Sequence, residues 1–148
     1  MPDEQTIDVL NRLLEAEEDS FISRLGEAAP YVDKSAMAGR TLVERMVADH
    51  SSHKRGLVEM ILKLRGAPAT PRRSIVTGGM HYIDLIHLVP DAIAGARKLV
   101  ETYESVAGDS SNAEVSTLVA RHLEDHRRHL AELEDLHSSQ EPPALAGG

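Results

Sequence analysis

Residues 47–59 read VADHSSHKRGLVE, and residues 123–135 read LEDHRRHLAELED. The two stretches share Asp-His-x-x-His: Asp49, His50 and His53 in the first, Asp125, His126 and His129 in the second. The match continues through Leu57 and Leu133, then through Glu59 and Asp135. Around both stretches apolar residues recur at three and four and hardly ever at two, the spacing of helices. At about 100° per residue, His50 and His53 fall close to the centre of one apolar stripe. His126 and His129 do the same on another, with His122 one turn before His126. Five imidazoles therefore point at a shared interior.

Working outward, the same period divides the chain into four amphipathic segments. Segment A (about 3–28) carries Ile7, Leu10, Leu14, Phe21 and Leu25 and ends before Pro30. Segment B (about 35–65) carries Leu42, Val43, Met46, Leu57, Met60, Ile61 and Leu64, with Ser35 as an N-cap and Gly66 as a stop. Segment C (about 80–107) places Leu85, Val89, Ala92, Ala96, Val100 and Tyr103 on one stripe, and Pro90 predicts a kink or two shorter helices. Segment D (about 113–137) carries Val115, Leu118, Val119, Leu130, Leu133 and Leu136 after the turn Gly108–Asn112 with its several candidate caps. Four such segments predict an all-α four-helix bundle as one domain over 1–137, with 138–148 as a disordered polar tail. The link Ala67–Gly79, at roughly 3.3–3.6 Å per residue, can just run back along the bundle. The pseudo-repeat, with a weaker match of Phe21, Ile22 and Leu25 to Leu99, Val100 and Tyr103, favours two helix hairpins, A–B and C–D, joined by that crossover.

Composition removes several classes of function. With no Cys there are no disulfides, iron–sulfur clusters, thiolate zinc sites or Cys nucleophiles. A net charge of −8, one Phe, three Tyr and no Trp argue against nucleic-acid binding. The first residues carry no basic leader or apolar h-region, and no stretch approaches a membrane span, so a cytoplasmic protein without a membrane partner is expected. Phosphate loops and nucleophile elbows are absent.

The five histidines carry the chemistry. A buried imidazole needs partners for both nitrogens, and each unmet polar group costs roughly 1–3 kcal/mol. Besides one another, they have only Glu17 and Glu18 of segment A, which flank its stripe on opposite sides. A metal ion relieves this by taking one nitrogen of each ring. On segment C, His81 borders the stripe, whereas Asp84, Asp91 and His87 lie off it; His137 is expected to be exposed. Tyr103 is expected in the core, able to donate to a ligand near the site.

Paired helices with ligands at i and i+3 resemble the ferritin-like superfamily, in rubrerythrin or bacterioferritin style. ADHSSHKRGLVEMILKLRGAP resembles the second helix and exit of such proteins, and LEDHRRHLAELEDL their fourth helix. The resemblance implies metal ligands at His53, His129 and Glu18 (or Glu17), a homo-oligomer such as a dimer, and iron or oxygen redox chemistry. It also marks departures. His50 and His126 stand where the family has its motif Glu, and Ala96, beside Gly95, where the third helix would bring another carboxylate. Two divalent ions would then face too few carboxylates, so a single ion held by imidazoles and one carboxylate is expected. The expected ligand set is Glu18, His50, His53, His126 and His129, with His122 as ligand or supporting partner. Iron or zinc suits it first, then copper. Fast di-iron ferrous oxidation is not expected. The alternatives are a non-catalytic dimerising bundle with pH-responsive histidines, a hemerythrin-like site, or a bis-His haem site between segments B and D.

Overall fold

The computed structural model describes residues 4–28, 37–69 and 85–140, and all the regular structure among them is helical. Helix α1 spans Glu4–Glu18, α2 Phe21–Ala28, α3 Met37–Lys63, α4 Leu85–Val106 and α5 Ala113–Gln140. The segment expected to be one helix over 3–28 is thus two, broken at Asp19 and Ser20. Ser20 explains the break. Its Oγ accepts the Ser23 backbone N–H at 3.2 Å, a cap that starts α2 afresh.

Helices α1 and α2 pack along α3, and α4 packs along α5. Side-chain pairs set the directions. Glu18 meets Lys54 while Asn11 meets Ala67, so α1 and α3 are antiparallel. Arg97 meets Glu134 while Glu104 meets Arg127, so α4 and α5 are antiparallel as well. Arg45 against Glu132 and Lys63 against Glu114 give the same relation for α3 and α5. It follows that α3 and α4 are parallel. The described helices pair as the two expected hairpins, α1 and α2 with α3 and α4 with α5; the expected crossover falls on residues 70–84, which lie outside the described residues.

The helix ends follow local chemistry. Asn112 Oδ1 accepts the backbone N–H groups of Glu114 and Val115, capping α5. At the end of α3, Gly66 N–H bonds Ile61 C=O and Arg65 N–H bonds Leu62 C=O, a Schellman closure. Arg65, not Gly66, takes the left-handed conformation there, with φ of 66°. Gly66 is needed for a different reason: a Cβ on it would lie 2.7 Å from Ile7 Cγ2. Pro90 neither ends nor divides α4. It sits six residues in, and the bond it forgoes is to a carbonyl of the first turn. Helix α5 runs to Gln140, three residues past the expected end; 141–148 and Ser35 lie outside the described residues.

Among the described residues the core has two apolar clusters, one towards each end. One gathers Leu10, Leu13, Leu57, Ile61, Tyr103 and Val119 with their neighbours; the other gathers Ile22, Leu25, Met46, Leu88, Ala92 and Leu133. On α1/α2, α3 and α5, the residues between these clusters are Glu17, His50, His53, His122, His126 and His129, all buried. A polar layer thus crosses the bundle with apolar packing above and below. No described helix is long and apolar enough to cross a membrane.

Candidate metal centre

Glu17 occupies the middle of this layer, fully buried. On α1 the buried positions are Thr6, Leu10, Leu13, Leu14 and Glu17, and at about 100° per residue Glu17 is central among them. Glu18, the expected ligand, falls about a quarter-turn away. It is half-buried and pairs with Lys54 at 3.8 Å. The correction traces to the break at Ser20. A stripe drawn through Phe21 and Leu25 mixes the phases of two helices and leaves both glutamates equally off-centre.

Glu17 Oε1 accepts three hydrogen bonds, from His126 Nε2 at 2.5 Å, Tyr103 Oη at 2.8 Å and His53 Nδ1 at 3.1 Å. Oε2 accepts none, with His50 Nδ1 3.4 Å away. Burial alone would push the carboxyl up. The hydrogen bonds from His126 and His53 outweigh it and hold Glu17 well below the usual carboxylate range.

The shared Asp of the two motifs has a reciprocal use. Asp125 on α5 accepts from His53 Nε2 at 2.8 Å, and Asp49 on α3 accepts from His129 Nε2 at 2.8 Å. Each motif thereby orients the second His of the other. Arg128 ties the two carboxylates together from outside, 3.4 Å from Asp49 and 3.2 Å from Asp125. Sequence reasoning found the repeated Asp but gave it no role. Its signal was available: a residue conserved between the two copies, one step off the buried stripe, that must face the neighbouring helix.

Donor and acceptor roles can be traced through the layer. A carboxylate can only accept, so His53, placed between Glu17 and Asp125, donates from both nitrogens. Burial acts to lower its pKa, but hydrogen bonding to Glu17, that group's charge and then Asp125 raise it. His53 is an imidazolium held between two anions. At His50 a chain of hydroxyls settles the tautomer. Ser23 Oγ donates to Glu17 C=O at 2.8 Å and Ser20 Oγ donates to Ser23 Oγ at 3.0 Å. Ser20 Oγ must then accept from His50 Nδ1, also at 3.0 Å, which leaves Nε2 of that ring as its lone-pair nitrogen. Burial pushes His50 down to about 3, helped by the charges of His126, His129 and His53.

His129 donates Nε2–H to Asp49, and its Nδ1 has no partner. Burial lowers its pKa, Asp49 opposing and His126 assisting. His126 donates Nε2–H to Glu17, and its Nδ1 too is buried without a partner. His122 belongs to the layer by a different contact. Its Nδ1 donates to Tyr103 Oη at 3.2 Å, since the phenol's own proton goes to Glu17. Burial, then the charge of His53, pushes His122 down to about 3. Tyr103 is core and donor at once, and its phenol is pushed up by burial and by Glu17.

Among the described residues, two sets of three bring potential ligand atoms within 4.8 Å of one another. One is His50, His126 and His129; the other is Glu17, His53 and His126. His122 joins neither set. The sequence candidates on segment C contribute nothing to either: Asp91 is exposed, and His81, Asp84 and the side chain of His87 lie outside the described residues. His137 is half-buried near the end of α5. Ala96 is buried against α2 and α3 and brings no donor.

The donor set suits a transition metal by its chemistry. Imidazole nitrogens with one carboxylate match Zn, Cu, Fe or Ni, and three buried atoms (Glu17 Oε2, His126 Nδ1 and His129 Nδ1) stand without hydrogen bonds. It does not reproduce a site built mainly from carboxylates, because among the described residues Glu17 is the one carboxylate within the layer and Asp49 and Asp125 stand behind histidines.

The sequence matches no protein-family model and no curated protein. Solved structures are similar in fold. A ferritin-like, diiron-carboxylate protein from Bacillus anthracis str. Ames superposes with a TM-score of 0.71 at 22% identity, over 90% of this chain and 96% of that one. A conserved hypothetical protein from Mycobacterium tuberculosis superposes with a TM-score of 0.78 at 10% identity, over 97% and 98% of the two chains. The chain has a ferritin-like fold.

Proposed function

We propose that this ferritin-like chain is a metal-binding protein whose ion is held in the polar layer by histidines, with Glu17 as its one carboxylate. The observation that carries this reading is the set of buried, unpartnered atoms Glu17 Oε2, His126 Nδ1 and His129 Nδ1. A layer of hydrogen bonds evolved only to pack would leave few such atoms, because each costs roughly 1–3 kcal/mol. The ligands would come from Glu17, His50, His53, His126 and His129, while Asp49 and Asp125 fix ring orientation and Tyr103 positions Glu17. A bound iron or copper would supply redox chemistry, and zinc a Lewis acid. The chain itself excludes water with two apolar clusters and holds the Glu17 carboxylate ionised. With a single carboxylate in the layer among the described residues, rapid oxidation of ferrous iron is not part of the reading.

Protein purified without chelator should carry a first-row transition metal, and chelation should lower its Tm. A ligand that binds only the folded state stabilises it by about 2.7 kcal/mol at a hundredfold excess over Kd. Unchanged metal content in His53→Ala and His129→Ala would place the ion elsewhere. Protein that binds no metal would leave a bundle with titrating core histidines.

A further inference from the structure

We infer that the layer holds two ions rather than one, with the His126 ring as an imidazolate bridge between them. The inference rests on the metal-binding reading above and concerns how many ions bind and what joins them. His129 has Nε2 engaged by Asp49, so its free donor is Nδ1, an atom without a partner. His50 has Nδ1 engaged by Ser20, so its free donor is Nε2. His126 points Nε2 at Glu17, the side on which His53 Nδ1 also lies, and its Nδ1 is the other buried orphan. The two triads share His126, and its hydrogen bonding assigns Nε2 to the side of Glu17 and His53 and leaves the unpartnered Nδ1 for the other set. One ion would take His50 Nε2, His126 Nδ1 and His129 Nδ1. The other would take the Glu17 carboxylate, His53 Nδ1 and His126 Nε2. Each set gives three protein ligands and leaves a position open, the usual arrangement of a reactive rather than a structural zinc-type site.

The expectation of a single ion came from counting carboxylates. That count omitted the bridge. When both nitrogens of His126 bind, the proton now between Nε2 and Glu17 leaves to solvent and the ring carries a negative charge; the Nδ1 proton of His53 leaves as well. The imidazolate and Glu17, with Asp49 and Asp125 hydrogen-bonded behind His129 and His53, then match the charge of two divalent ions. Arg128, which pairs with both Asp residues, is 53% exposed and solvated. An imidazole-dominated pair selects copper and zinc over harder ions.

The test is a titration of chelator-treated, full-length protein with Cu(II), followed by electron paramagnetic resonance, with Zn(II) stoichiometry measured beside it. Two tight equivalents of each ion are expected. The copper signal should grow over the first equivalent and shrink over the second, because an imidazolate couples the two spins. His129→Ala and His53→Ala should each keep one ion with an uncoupled signal. Two coppers whose signals simply add would overturn the bridge, as would two coupled ions in His126→Ala. A single equivalent in the wild-type chain would overturn the inference but leave the metal-binding reading standing. No binding would overturn both.

Discussion

His53 and His129 occupy the same position of the repeated motif, and each donates Nε2–H to the other helix's Asp at 2.8 Å. Their proton affinities nevertheless move in opposite directions, up for His53 and down for His129. Burial opposes charge on both rings. The difference is Glu17, 3.1 Å from His53 Nδ1, whereas the Nδ1 of His129 meets no partner. The two hairpins are alike in sequence and in their crossed Asp–His bonds. They differ in what the other two helices add: α1 brings a carboxylate, and α4 brings Tyr103 and apolar residues. A near-twofold scaffold is thus made electrostatically one-sided by a single side chain.

Removing that side chain is the strongest way to break the asymmetry. Glu17→Gln should abolish the rise in the His53 pKa, so that by NMR its ring titrates in the direction of His129. Breaking a buried charged network by deleting one member costs about 3–5 kcal/mol, so the chelated variant should melt far below wild type. If Tm and the His53 titration are both unchanged, Glu17 does not set the difference.

Acid is the next largest perturbation. In the chelated protein His50 and His122 have folded pKa values of about 3, against an ordinary 6.5. The unfolded chain takes up their protons below pH 6.5 and the folded chain does not. Their contribution to stability is therefore complete above pH 6.5 and is lost as pH falls towards 3, by about 1.4 kcal/mol per pH unit for each ring. His53, whose pKa is raised, works the other way and offsets part of one ring's loss. Denaturant unfolding at pH 7 and pH 5 should show the protein weaker at pH 5. Equal stability at the two values would mean that the rings are not buried as neutral groups.

Smaller effects sharpen the comparison. Asp49→Asn and Asp125→Asn each remove a carboxylate behind a ligand histidine, and losses of metal affinity of roughly 10–100-fold are typical of such changes. The Asp49 variant should suffer more, since His129 has no other anion to orient it. A competition assay with a chromophoric chelator would rank the two, and a larger loss for Asp125 would reverse the argument. Arg128→Ala should change stability least, by about 0–1 kcal/mol, because its ion pairs are exposed. A larger drop in Tm would make the bridge across the two aspartates a true clamp.

The sequence carried the site unevenly, and helix continuity explains the pattern. Within α3 and α5 the period runs unbroken, so His50, His53, His122, His126 and His129 could be phased against Met46, Leu57, Val119 and Leu133 and all are buried. In the first segment one hydroxyl, Ser20, resets the phase, and the choice between Glu17 and Glu18 could not be made without seeing it cap α2. The crossed use of Asp49 and Asp125 depends on α3 and α5 lying antiparallel side by side, which is a property of the pair and not of either helix. Tyr103 was legible as core because its stripe is clear, but its bond to Glu17 joins residues 86 apart.

The break at Ser20 also divides the bundle dynamically. Helix α2 has eight residues, fewer than the roughly 12–15 that an isolated helix needs even to be marginal. Its order is borrowed from Ile22 and Leu25 in the apolar cluster and from the hydroxyl chain that runs through Ser20 to His50. Helix α1, anchored in the opposite cluster, keeps its own packing. Local opening can therefore peel α2 away while α1 and its Glu17 stay in place. Such an opening frees the Nδ1 side of His50 and brings solvent to one edge of the layer. The break that ends α1 just after Glu17 is thus also a place where solvent can reach the polar layer.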